Sequence, residues 1–146
     1  MAERNMDMKK CPMPVQDPDV RNKNFDEVAL GYTYDMAVNE ARRCLNCPKK
    51  PCQSACPVQI DIPAFIERVA NEDMDGAFEI LSKSTSLPAV CGRVCPQENQ
   101  CEGKCVRGIK GEAVGIGRLE RFVADYHREH CTDTPEMPEQ NGHKVA

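Results

Sequence analysis

The chain has no tryptophan, and aromatic residues of any kind make up only 5% of its 146 positions. The hydrophobic share of 40% includes ten cysteines, so the apolar material for a core is thin. A domain this poorly supplied needs cross-links of another kind. Long apolar runs are also missing, which excludes a membrane-spanning helix. The opening MAERNMDMKKCPMPVQD lacks the apolar centre of a secretory signal, so a cytoplasmic location is expected. Nor is there a basic stripe with interleaved aromatics. With a formal charge of −4, this argues against nucleic acid as a partner. Convincing strand alternation is absent throughout, so the fold class expected is all-α.

What is abundant is cysteine, and it is clustered. The first run is Cys44-x2-Cys47-x4-Cys52-x3-Cys56-Pro57, and the second is Cys91-x3-Cys95-Pro96-x4-Cys101-x3-Cys105. Cys11 and Cys131 lie outside both. Disulfides suit secreted domains, whereas cytosolic cysteine runs bind metal or do redox chemistry. Zinc favours two short pairs separated by a longer loop. Cys44 and Cys47 could form one such pair, but the second run has none. The three histidines, His127, His130 and His143, fall outside both runs. A 4Fe–4S cube fits better. Bacterial-type ferredoxins take three close cysteines for one cluster and a more distant Cys-Pro for its neighbour. Cys44, Cys47 and Cys52 followed by Cys56-Pro57 have that form with a stretched middle gap. Two such runs predict two adjacent clusters with crossed ligands, and on spacing alone Cys91 is the natural fourth ligand of the second.

Along the chain, residues 1–24 carry Pro12, Pro14 and Pro18 and read as an extended arm. Residues 25–131 read as the cluster domain and residues 132–146 as a Pro/Glu-rich linker. Thr33 is expected to cap a helix that leads into Cys44. Asp61, with Pro63 in the first turn, is expected to cap the next, which buries Phe65, Ile66, Val69 and Ala70. A third helix is expected from Asp75 to Lys83, with Pro88 breaking the chain before the second run. The clearest helix runs from Val114 to about His130, on an apolar stripe of Ile116, Leu119, Phe122, Val123 and Tyr126. Glu120 lies at the edge of that stripe. Helix geometry alone favours its tilting to solvent or pairing with Arg118 or Arg121, because a buried carboxylate needs a partner. Gly115 and Gly117 give only Gly-x-Gly without a preceding strand, which is no nucleotide site.

Several stretches resemble the iron–sulfur domain of the glutamate synthase small-subunit family. They are NFDE (24–27), ALGYT (29–33), EARRCLNC (40–47), CPVQIDIPAFI (56–66), CGRVCPQENQCEGKC (91–105) and VGIGRLERFVADY (114–126). The resemblance covers about residues 10–131, and dihydropyrimidine dehydrogenase and related NADPH-dependent flavoprotein subunits share the same domain. It implies an α-helical ferredoxin-like fold with cysteine-rich loops around two 4Fe–4S clusters. It also implies that Cys44, Cys47, Cys52 and Cys105 hold one cluster. Cys56, Cys95, Cys101 and Glu120 would then hold the other, which leaves Cys91 out and reverses the helix-geometry reading of Glu120. Lys49-Lys50-Pro51 and Ser54-Ala55 depart from the family's usual loop wording without touching a ligand.

The resemblance further implies a following FAD- and NADPH-binding domain, of whose first strand Gly142–Ala146 would be the start. The chain would then be the electron-transfer fragment of an oxidoreductase, without the flavin and nicotinamide sites. Its partners would be that downstream domain and, in a glutamate synthase, the large subunit that makes glutamate from glutamine and 2-oxoglutarate. The alternatives are a pyrimidine-reducing or ferredoxin-linked parent, or clusters that serve only as scaffold. Arg43, Lys49, Arg93 and Lys104 are expected either to offset the negative clusters or to sit as solvated surface charge.

Overall fold

A computed structural model describes residues 3–131 and residue 142. The predicted linker 132–146 and the strand start within it lie outside the described residues, apart from Gly142. Asp17 caps a single helical turn, α1 (Pro18–Arg21). Thr33 then accepts a hydrogen bond from the Met36 N–H and opens α2 (Tyr34–Ala41), which delivers the chain to Cys44. The cysteine-rich loop that follows contains one short turn, α3 (Pro51–Ser54), carrying Cys52. Asp61 caps α4 (Ile62–Ala70) through the Ala64 N–H, with proline in the first turn. Asp73 caps α5 (Met74–Ser82), so this helix begins one residue earlier than Asp75.

Pro88 corrects an expectation. It does not interrupt the chain but starts α6 (Pro88–Val94), which holds Cys91 in its middle and ends at Cys95. Its fixed φ and missing N–H are no handicap at the first helical position. Three short 3-10 turns, Gln97–Asn99, Glu102–Lys104 and Val106–Ile109, carry the rest of the second run. The last and longest helix is α7 (Ile116–His130). The fold is helical, and among the described residues the one β-type pairing is an isolated bridge between Val15 and Ala29.

Helix α4 packs on α5, and α6 packs on α7. Phe65, Ile66, Val69, Leu81, Leu119 and Val123 form the dry centre. Phe65, Ile66, Val69, Leu119 and Val123 sit on the faces their periodicity assigned. Gly92 makes the α6–α7 contact possible, because a Cβ there would lie 2.6 Å from the Arg121 backbone nitrogen.

The N-terminal segment lies against this body. The Asn5 N–H donates to the Arg42 carbonyl (3.0 Å), and the Glu112 N–H donates to the Met8 carbonyl (2.7 Å). A buried ion pair anchors it. Glu40 and Arg43 are 0% and 1% exposed, with Oε1 and NH1 2.6 Å apart. Glu40 also accepts from the Gly115 N–H (2.8 Å) and the Cys11 N–H (2.7 Å). Arg43 donates to the carbonyls of Glu112 (2.7 Å), Asp7 (3.0 Å), Ala113 (3.3 Å) and Met8 (3.4 Å). One pair thus joins the arm, α2 and the approach to α7.

Candidate metal centre

Chain turns within the first cysteine-rich loop require unusual backbone. Asn46, Lys50 and Gln59 all have positive φ (49°, 42° and 57°). They sit beside Cys47, Cys52 and Cys56, where the loop must double back. Asparagine tolerates this conformation, whereas lysine and glutamine pay about 1 kcal/mol or more each. Backbone held against that cost is characteristic of sites where the surrounding structure fixes it. Lys50 is tied down by its ammonium, 2.7 Å from the Asp61 carboxylate that caps α4.

Folding brings Cys44, Cys47, Cys52 and Cys105 around one cleft. Ile62, Pro63, Ile66, Val114 and Ile116 supply apolar walls that exclude water. Burial pushes the Cys44 thiol up to about 11. The Asn46 N–H partly opposes this, and the nearby Cys52, Cys105 and Cys47 reinforce it. Cys52 is also raised, by burial first and then, against the Gln53 N–H, by Cys105. These are thiols that stay protonated at neutral pH until a cation compensates them.

The other predicted ligands gather separately. Cys101 is raised to about 12 by burial, then by Glu102, with Cys56 and Glu120 adding. Cys95 is raised by burial and by Cys91, Glu120 and Cys56. Cys91 therefore lies with this second group, 3.8 Å from the Thr85 hydroxyl. Cys105 thus shares a cleft with Cys44, Cys47 and Cys52, and Cys56 lies near Cys95 and Cys101.

Glu120 does neither thing that helix geometry alone predicts. It is 7% exposed, and its Oε1 has no hydrogen-bond partner. Arg118 is engaged by the Cys11 carbonyl (2.8 Å), and Arg121 by the Ala29 carbonyl (2.9 Å), Glu27 and Asp125. Burial alone lifts the Glu120 carboxyl to about 7. An orphaned buried carboxylate among thiols is a donor set without its acceptor, and an iron corner would satisfy it.

All ten cysteines are free. Among the described residues, no three Cys, His, Asp or Glu side chains gather closely enough to hold one metal ion. A single zinc needs every donor about 2.3 Å or less from one point, whereas a cube places each donor on its own iron. The expected cations divide. Lys49 and Lys104 are exposed, Arg43 is locked in the Glu40 pair, and Arg93 lies 2.7 Å from Glu27 and 2.6 Å from Asp125. Sequence reasoning missed both the Glu40–Arg43 pair and a second half-hidden pair, Lys10–Glu102. Charged residues three apart on a helix, or far apart in sequence, carry no signal that distinguishes them from surface charge. No described helix is long and apolar enough to cross a membrane.

Residues 21–132 match the family described as dihydropyrimidine dehydrogenase domain II, 4Fe–4S cluster. The NAD-dependent dihydropyrimidine dehydrogenase subunit PreT of Escherichia coli K12 is 40% identical over 105 residues, covering 72% of this chain and 26% of that protein. The glutamate synthase [NADPH] small chain of the same strain is 35% identical over 144 residues, covering 97% of this chain and 30% of the relative. Its putative oxidoreductase AegA is 40% identical over 108 residues, covering 73% and 16%. The chain thus spans less than a third of the length of each of these curated relatives.

Proposed function

Because the chain belongs to the dihydropyrimidine dehydrogenase domain II 4Fe–4S cluster family, we propose that it is an electron-transfer domain of an NADPH-linked oxidoreductase, holding two clusters. Cys44, Cys47, Cys52 and Cys105 hold one, and Cys56, Cys95, Cys101 and Glu120 hold the other. The observation that carries this reading is the separation of the donors into an apolar cleft with four cysteines and a second group containing the unpartnered Glu120 carboxylate. When bound, each cluster supplies one-electron redox chemistry. The protein's part is to fix the donors, exclude water through Ile62, Ile66, Val114 and Ile116, and tune the local charge.

The parent activity that fits best is a glutamate synthase small subunit, since the small-chain relative aligns along 97% of the chain. In it the domain stands between two flavins, one reduced by NADPH in the downstream domain and one where glutamate is made from glutamine and 2-oxoglutarate. The pyrimidine-reducing reading is kept because of the 40% identity to the PreT subunit. Joining the chain to its natural downstream sequence and assaying NADPH oxidation with each acceptor system separates the two. The electron-transfer role itself is tested by anaerobic reconstitution. About eight irons per chain are expected, four to a cube, with both clusters reversibly reducible. A colourless zinc protein, or clusters that resist reduction, would overturn it.

A further inference from the structure

The arm that crosses the domain places one cation against one buried anion beside a ligand. Glu102 follows Cys101 directly and is 8% exposed. Its Oε1 accepts from the Gly117 N–H (3.4 Å), in the first turn of α7, one turn before Glu120. Its Oε2 lies 2.5 Å from the Lys10 ammonium. Glu102 therefore touches the structure on both sides of the Cys101–Glu120 group. Lys10 does not reach it by chance. The Lys10 N–H donates to Glu112 Oε2 (2.7 Å), and the Met8 carbonyl accepts from the Glu112 N–H (2.7 Å). The Asp7 carbonyl takes donors from both Arg43 and Arg107. With the Cys11 N–H donating to Glu40 Oε2 (2.7 Å), the arm is pinned on either side of the lysine's approach.

We propose that Lys10 is a positioning residue that sets the reduction potential of the cluster held by Cys56, Cys95, Cys101 and Glu120, by neutralising Glu102 beside Cys101. The inference rests on the electron-transfer reading above. Unpaired, a carboxylate in a poorly solvated site acts on a neighbouring redox centre as a full negative charge; paired, it acts as a small dipole. Cluster potential follows local net charge, so an uncompensated Glu102 would disfavour the added electron.

The test uses the cluster-loaded 146-residue chain, titrated anaerobically and followed by electron paramagnetic resonance so that the two clusters are read separately. Lys10→Met should shift one cluster to lower potential, and Glu102→Gln should shift the same cluster to higher potential. The double variant should return near the parent, and Lys10→Arg should stay there. Glu102→Gln, which keeps the shape of the side chain, carries the test where Lys10→Met fails to retain its clusters. A purely structural role would alter cluster retention without these opposed shifts. A parent chain that reduces normally, with neither variant shifted or with both clusters shifted alike, overturns the inference alone. A parent chain whose clusters cannot be reduced overturns the electron-transfer reading first.

Discussion

Replacing Arg43 with methionine would remove the cation from the one ion pair, among the described residues, in which both side chains are almost fully covered. Glu40 would keep its two backbone donors, Gly115 and Cys11, but would stand as an uncompensated carboxylate at 0% exposure. The carbonyls of Asp7, Met8, Glu112 and Ala113 would lose donors at the same time. Breaking a buried pair from one side costs about 3–5 kcal/mol. Set against a total stability of roughly 5–15 kcal/mol, that is a large share. The pair ties the arm and the approach to α7 to the residue before Cys44, so its loss should release the clusters. Cluster-bearing proteins unfold irreversibly, which makes the useful readout a rate. Bleaching of the cluster absorbance in anaerobic urea with an iron chelator should be about 100-fold faster or more, at roughly 1.4 kcal/mol per decade. Glu40→Gln combined with Arg43→Met should recover much of the loss, because a neutral amide can remain hydrogen-bonded where a lone charge cannot. Bleaching within threefold of the parent in the Arg43→Met single variant would refute the structural role given to this pair.

Glu120→Cys should move the potential of one cluster and leave the other in place, since thiolate replaces a harder oxygen donor; a redox titration with both potentials unchanged would remove Glu120 from the ligand set. In the cluster-free chain, Glu120 should also impose a pH dependence. Its carboxyl titrates near 7 when folded and near 4.5 when free, so the folded state binds more protons between those values. Stability attributable to it should be full below about pH 4.5 and fall by about 3 kcal/mol as pH rises to 7. Unfolding free energies from urea titrations across that window should lose about that much of their pH dependence in Glu120→Gln, and parallel curves would contradict the burial. Gly92→Ala should force α6 away from the Arg121 backbone and cost about 1–3 kcal/mol by overpacking, with Cys95 displaced along with the helix. Unchanged thermal stability and unchanged spectra would show that the two helices have slack that this contact does not suggest.

Much of the fold was legible because local chemistry and packing agreed. Thr33 and Asp61 cap where short polar side chains precede apolar stripes, and α7 buries the stripe its period marks. Pro88 misled because the same residue that ends one helix also begins another well, and the apolar signal of α6 is too short to decide. Glu120 was ambiguous for a related reason. Periodicity places a residue on a face but does not say whether a neighbouring arginine is free, and both candidates turned out to be occupied elsewhere. Lys10 and Glu102 were invisible as a pair because only the path of the arm over the domain brings them together, whereas Glu40 and Arg43, three residues apart, carry no signal that separates a buried pair from surface charge. Spacing predicts two clusters with crossed ligands, whereas the specific sets, with Cys105 in the first and Glu120 in the second, are implied only by family resemblance, and Cys91 lies beside Cys95 in the fold.

The crossing of ligands between the two runs is the central claim, and electron paramagnetic resonance of four serine variants tests it most directly. Serine keeps an oxygen donor, so each substitution should perturb the signal of the cluster it serves. The account predicts that Cys56→Ser changes the same signal as Cys95→Ser, and that Cys105→Ser changes the same signal as Cys44→Ser. If Cys56→Ser instead changes the Cys44→Ser signal, each run closes around its own metal and the interlocked arrangement is wrong.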